Sequence, residues 1–223
     1  MYSQSLQNLI GTLSLIMVLT SVSAVEARNL RVAAFAYAAQ ALLICALIGA
    51  FATQNSALYW WVLVAFFTKA VITPWLLLAY VRRTVDREVR AIVGFGPSVI
   101  IASVILVVFY KLTHTYADFL APSATATHGV FRTNLAVALT VFVIGLYAIL
   151  SRRDAIKTVV GLALLENAVH LSLVSLAPGI RETALVGIAT EVVITIGLLL
   201  YIISGIYQKF GSTDTYKLSE LHW

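Results

Sequence analysis

The chain reads as an all-α membrane protein of seven transmembrane helices, built as two parallel three-helix repeats joined by a connector helix. Three observations predict this. Of 223 residues, 61% are apolar and 11% charged, whereas a soluble domain carries roughly 25% charged residues. At about 1.5 Å per residue, ~20 apolar residues cross ~30 Å of hydrocarbon. Seven apolar runs approach or exceed that length, from Leu6 to Val25, Leu30 to Ala52, Ala57 to Tyr80, Ile92 to Tyr110, Leu135 to Leu150, Ala155 to Leu176 and Ala184 to Tyr207. Third, the stretch from Thr68 to Tyr80 matches the stretch beginning at Thr190 at seven of thirteen positions, 122 residues on.

Each run has its own signature. The first is expected to be a helix rather than a cleaved leader, because no Lys or Arg precedes Leu9, and a signal peptide needs a basic start. The second and third complete the first repeat. The fourth follows the charged turn Arg82 to Arg90 and carries Gly94, Gly96 and Pro97, so it starts near Pro97 or bends there. The fifth to seventh match the first to third at offsets of about 126, 126 and 122. An odd number of spans separates the copies, so both point the same way, unlike inverted transporter repeats. The chain divides into residues 1–83, the first repeat; 84–130, the connector helix and an outer loop; 131–210, the second repeat; and 211–223, a cytoplasmic tail expected to be frayed unless it docks.

Charge sets the orientation. With the N-terminus outside and the C-terminus inside, Arg28, Arg31, Arg82, Arg83, Arg87, Arg90, Arg152, Arg153, Lys157, Lys209 and Lys217 are cytoplasmic, and Lys111, Arg132 and Arg181 are outside. That asymmetry follows the positive-inside rule, so the net charge of +5 calls for no nucleic-acid partner. The single cysteine, Cys45, can neither close an internal disulfide nor supply four thiolates to an iron–sulfur cluster. His114, Asp118 and His128 fall in the loop between the fourth and fifth runs, which reads as a solvated loop rather than a metal site.

Ionisable residues inside spans are costly and mark polar paths. The sixth run contains Glu166, Asn167 and His170; residues four apart share a helical face, so Glu166 and His170 form one polar stripe with Asn167 beside them. Low dielectric disfavours the charged form of a carboxyl and of an imidazole alike, which suits a proton relay. The seventh run has Thr190, Glu191 and Thr195, and the third has Thr68, Lys69 and Thr73 in matching places. Pro74 crowds the carbonyl of Ala70, next to Lys69, and Gln40 of the second run stands where the sixth has Glu166. The alternatives are structural: a Glu166–Lys69 pair that only ties helices together, a hydrogen-bonded core His170, Gln40 as interhelical glue, and Gly145, Gly161, Gly187 and Gly197 as close-packing positions.

At Phe67-Thr-Lys69 with Pro74, at the helix-six string holding Glu166, Asn167, His170 and Leu171, and at Gly187-Ile-Ala-Thr-Glu191, the chain resembles the family of hydrogenase-4 component E. The resemblance covers most of the chain. The last three helices are also similar to the small complex I subunit called K and to its relatives in multisubunit cation/proton antiporters. Glu191 matches that family's carboxylate in its third helix. The family's Gly-Leu-Glu reads Gly161-Leu162-Ala163 here, with the carboxylate one turn on at Glu166. The resemblance implies a multi-pass inner-membrane subunit, not catalytic alone. Partner subunits would hold a nickel–iron site and iron–sulfur clusters, and antiporter-like subunits would move protons or sodium. Lys69, Glu166, His170 and Glu191 are then expected on the ion pathway, supported by Gln40, Thr73, Asn167 and Thr195. The rival readings are an inert scaffold between hydrogenase arm and pumps, and a free-standing seven-helix transporter or photoreceptor. The latter would want a lysine in the seventh helix, where Glu191 stands.

Overall fold

The structure is a computed structural model that describes residues 4–53, 55–56, 58–83, 93–116, 119, 129–151, 154–177 and 182–214; the side chains of residues 151, 182–186, 188 and 189 lie outside the description. Among the described residues, seven helices are long and apolar enough to span a membrane: α1 (Gln4–Glu26), α2 (Leu30–Ala52), α3 (Leu58–Arg83), α4 (Phe95–Thr115), α5 (Gly129–Ser151), α6 (Ala155–Leu176) and α7 (Glu182–Phe210). The fourth starts three residues later than its hydropathy run because Gly94, at φ 92°, breaks the backbone there. Pro97 then sits in the first turn, where its missing N–H costs nothing. The fifth begins six residues before its run, since Arg132 and Asn134 are accommodated within the helix.

α6 is the buried centre. It lies against α5, α2, α7 and α1, and α5 in turn holds α1 and α4. Two-thirds of the apolar window of α6 (67%) is buried, against 6% for α4, so α4 is a peripheral helix leaning on α1 and α5. The α5–α6 crossing depends on two glycines: a Cβ at Gly145 would stand 2.9 Å from the Gly161 carbonyl oxygen, and one at Gly161 would meet Ala148 at 2.9 Å. The other two glycines expected to serve close packing, Gly187 and Gly197, face open space. α3 is not a continuous α-helix. Phe66–Ile72 forms a π-helical stretch centred on Lys69, and Thr73 bonds the Thr68 carbonyl five residues back through both its N–H and its hydroxyl. The constraint at Pro74 is thus taken up as wider winding just upstream.

One end of the bundle is fastened by buried polar groups. Glu26 accepts hydrogen bonds from Gly94 N and Ser98 Oγ, capping α4. Lys157 is fully buried, and its ammonium donates to the carbonyls of Ala24 and Val25 at the C-terminus of α1, where a cation suits the helix dipole. Its charge serves the fold, not merely orientation. Asp154 caps α6 by accepting from Ile156 N and Lys157 N. At the start of the tail, whose residues 215–223 lie outside the described residues, Thr213 donates its hydroxyl to Asp154 Oδ2 at 2.5 Å and accepts at its carbonyl from Ala155 N. Residues 212 and 213 are consequently buried. Arg87, Arg90, Arg152, Arg153, Arg181, Lys217, Asp118 and His128 lie outside the described residues; His114 stacks on Tyr110 at 3.9 Å.

Gly145→Ala should lower stability by ~1–3 kcal/mol through overpacking, whereas Gly11→Ala, where a Cβ meets nothing, should be neutral or stabilising by up to ~1 kcal/mol; thermal unfolding in detergent measures both. Burial pushes the Asp154 carboxyl above the ordinary carboxylate value, against the opposing hydrogen bonds from Thr213 and the backbone. Its folded pKa is raised, so its contribution to stability is full below the ordinary value and falls as pH rises through the raised one. Over that window the unfolding temperature of the native protein should decline relative to that of Asp154→Asn, which lacks the ionisation.

Candidate functional site

Three helices bring their polar groups to one buried point. The π-helical stretch of α3 places Lys69 inward at 2% exposure; α6 contributes Glu166, Asn167 and His170; α2 contributes Gln40. The Lys69 ammonium lies 2.6 Å from Glu166 Oε1, donates to Asn167 Oδ1 at 2.8 Å and stands 2.7 Å from His170 Nδ1. His170 Nδ1 is also 3.0 Å from Glu166 Oε1. Nζ, Oε1 and Nδ1 therefore form a closed triangle, each within 3.0 Å of the other two. From the far side, Gln40 Oε1 accepts from Asn167 Nδ2 at 2.6 Å, which fixes Asn167 with its oxygen toward the lysine.

The triangle has a defined proton inventory. A charged Lys69 has three N–H donors; Asn167 and His170 lie at hydrogen-bond positions, and Glu166 Oε1 faces the ammonium as its ion-pair partner. His170 accepts from Lys69 when its proton is on Nε2; with the proton on Nδ1 the ring donates instead toward Glu166, whose Oε1 and backbone carbonyl both lie 3.0 Å away. Moving one proton from Nζ to Nδ1, or from either nitrogen to Oε1, needs no displacement of a heavy atom beyond hydrogen-bond range. Trp61 stacks on the His170 ring at 5.2 Å and 29°.

Further polar atoms belong to the same region or border it. The Tyr37 hydroxyl lies beside Asn167 and Thr73. It, Gln40 Nε2, Trp61 Nε1 and His170 Nε2 are buried with no hydrogen-bond partner among the described residues, as are both carboxylate oxygens of Glu166, of which Oε1 is met by the ion pair alone. Sequence reading missed Tyr37 and Trp61. Tyr37 was detectable, since it precedes Gln40 by three residues on one face of α2; Trp61 was not, because its placement over His170 follows from helix packing alone.

Of the residues singled out in the sequence, Lys69, Glu166, His170, Asn167 and Gln40 meet. Thr73 is buried next to them, its hydroxyl spent on the Thr68 carbonyl. Glu191 does not join them: it is exposed on α7, and Thr195 is only partly buried. The physical reason is helical phase. α7 buries Ile196, Leu200 and Ile203, and at 100° per residue Glu191 lies 120–180° around the helix from each of them.

Removing one partner of the buried pair leaves the other charge uncompensated. Glu166→Met and Lys69→Met should each destabilise the protein by ~3–5 kcal/mol, and the double variant by clearly less than either alone. Unfolding of the purified subunit in detergent checks this; additive losses would show that the two charges do not interact.

A family model described as NADH-ubiquinone/plastoquinone oxidoreductase chain 4L matches residues 133–223, which include Glu166, His170 and Glu191. Hydrogenase-4 component E of Escherichia coli is 27% identical over 215 residues, covering 96% of this chain and 97% of that protein, and its namesake from Shigella flexneri aligns to the same extent. NAD(P)H-quinone oxidoreductase subunit 4L of Nostoc sp. is 30% identical over 95 residues, which is 40% of this chain and 94% of that protein. No solved structure matches the chain. The chain is thus a homologue of hydrogenase-4 component E along nearly all its length, and its C-terminal part matches the NADH-ubiquinone/plastoquinone oxidoreductase chain 4L family.

Proposed function

We propose that this protein is a membrane-arm subunit of a complex I-like hydrogenase, in which buried Lys69, Glu166 and His170 take part in proton or sodium translocation coupled to redox chemistry in partner subunits. The homology to hydrogenase-4 component E and to the quinone oxidoreductase subunit supports the assembly. The closed Lys69–Glu166–His170 triangle supports the ionic role. In this reading the chain has two parallel three-helix repeats with its C-terminus in the cytoplasm, and the nickel–iron and iron–sulfur centres belong to other subunits.

The orphaned polar atoms favour conduction over a purely structural pair. A tie between helices needs only Lys69, Glu166 and their immediate partners. Tyr37 Oη, Gln40 Nε2, Trp61 Nε1, His170 Nε2 and Glu166 Oε2 exceed that need, and leaving each one unmet would cost roughly 1–3 kcal/mol. Such a set is met by internal water, which would carry protons to and from the triangle. Lys69 sets the charge state of Glu166, His170 relays, and Glu191 continues the path where a neighbouring subunit lies over it.

In native membranes, Glu166→Gln and Glu191→Gln should each reduce ion uptake per turnover at least tenfold while hydrogen evolution stays measurable. Unaltered uptake would refute the conduction role. If instead the amount of assembled complex falls in step with uptake, the chain is a scaffold.

A further inference from the structure

α7 carries a carboxylate where lipid should not tolerate one. With 29 residues, the helix is about 43 Å long, close to the ~40–45 Å of a whole bilayer. Glu191 is nine residues from its start, about 14 Å along it and hence roughly 7 Å inside the hydrocarbon if the helix is centred. The side chain is exposed on this chain. Around it, on the side turned away from buried Ile196, Leu200 and Ile203, are Ile194 at 59%, Leu198 at 59% and Tyr201 at 72% exposure. Gly187 and Gly205 lie on the same side with nothing within 4 Å of a Cβ. The contrast with α4 is informative. That helix is more exposed still, and its outer face of Ile100, Ile101, Val104, Val107 and Val108 is apolar up to the exposed Lys111 near its end, whose long side chain can reach the interface as the shorter Glu191 cannot.

We infer that the Glu191 face of α7 is a docking surface for a membrane-spanning helix of a neighbouring subunit that presents a Lys, Arg or His side chain at the depth of Glu191. Charge complementarity selects this occupant. Acyl chains offer the carboxyl no hydrogen-bond donor, and a buried carboxylate in hydrocarbon costs on the order of a few kcal/mol. A second copy of this chain docked by the same face would share its orientation in the membrane and bring Glu191 against Glu191 at one depth, where like charges repel. A cationic partner removes both penalties, and the flanking glycines let its backbone come close. The inference rests on the membrane-subunit reading, not on conduction.

The test uses the complete complex in native membranes, with Cys45→Ala as background and a single cysteine at Leu198 or, independently, at Ile194, labelled with a maleimide-benzophenone and irradiated, so that the photoactivated ketone inserts into C–H bonds of whatever covers the face. The expected result is a cross-link from α7 to a transmembrane peptide that belongs to another subunit and bears Lys, Arg or His, at least tenfold more abundant than any from Val104→Cys on α4. Glu191→Lys should reduce recovery of that same subunit at least tenfold relative to Glu191→Gln. Cross-links to a second copy, cross-linking equal to that of α4, or undiminished recovery with Glu191→Lys would overturn the docking assignment. Because Glu191 and Leu198 are exposed, these changes leave the bundle core untouched. A retained cross-link with normal ion uptake in Glu191→Gln would refute Glu191 as a carrier and leave docking standing.

Discussion

The Lys69–Glu166 contact is the constraint on which the rest of the bundle is organised. Two opposite charges in an apolar bundle are tolerable only when they touch and when their remaining donors and acceptors are met. That demand fixes the relative rotation of α3 and α6, since Nζ and Oε1 must approach to 2.6 Å. It also recruits α2, because Asn167 can offer its oxygen to Lys69 only when its amide nitrogen is taken up, here by Gln40. A sliding of one helix by a single turn would separate the pair by about 5 Å. The polar cluster therefore sets register more sharply than the surrounding apolar side chains can.

The π-helical winding of α3 belongs to the same constraint. A regular helix through Phe66–Ile72 would carry Lys69 some way around the axis relative to Trp61 and Thr73, both of which are buried on the inner side. Widening the helix by one residue per turn keeps Trp61, Lys69 and Thr73 facing inward together. Pro74 supplies the local cause, and the paired hydrogen bonds from Thr73 to the Thr68 carbonyl supply the compensation. The polar groups at the end of the bundle have a different task. Glu26, Asp154 and Lys157 satisfy helix termini and place no side chain in the Lys69 cluster.

Periodicity and residue chemistry made much of this legible. The seven spans follow from hydropathy, and the Glu166–His170 pairing follows from spacing within one helix. That Lys69 would meet them was open in the sequence, because contact between α3 and α6 is a tertiary fact; only the rarity of buried charge suggested a partner. The illegible parts share a cause. The π segment, the Lys157 cap and the docked Thr213 each depend on backbone atoms of distant elements, and backbone acceptors leave no mark in a sequence. Glu191 shows the converse: its equivalence to Lys69 in the repeated segment predicted an inward residue, yet the phase of α7 is set by Ile196, Leu200 and Ile203.

The separation of the two carboxylates constrains how any ion could cross. Glu166 sits inside the bundle and Glu191 on its outside, so a path using both cannot be contained within this chain. It must leave the core between α6 and α7 or α3 and α7, the helices that α7 touches, and be completed by whatever covers the α7 face. His170 is the natural point of departure on the inner side: its Nδ1 belongs to the triangle while its Nε2, on the opposite edge of the ring, has no partner among the described residues. An imidazole that takes a proton at one nitrogen and releases it at the other transfers charge across its own width without rotating, and the stacked Trp61 ring opposes rotation. Under the proposed function, translocation would be a property of an interface between subunits, with this chain supplying the half that holds the lysine.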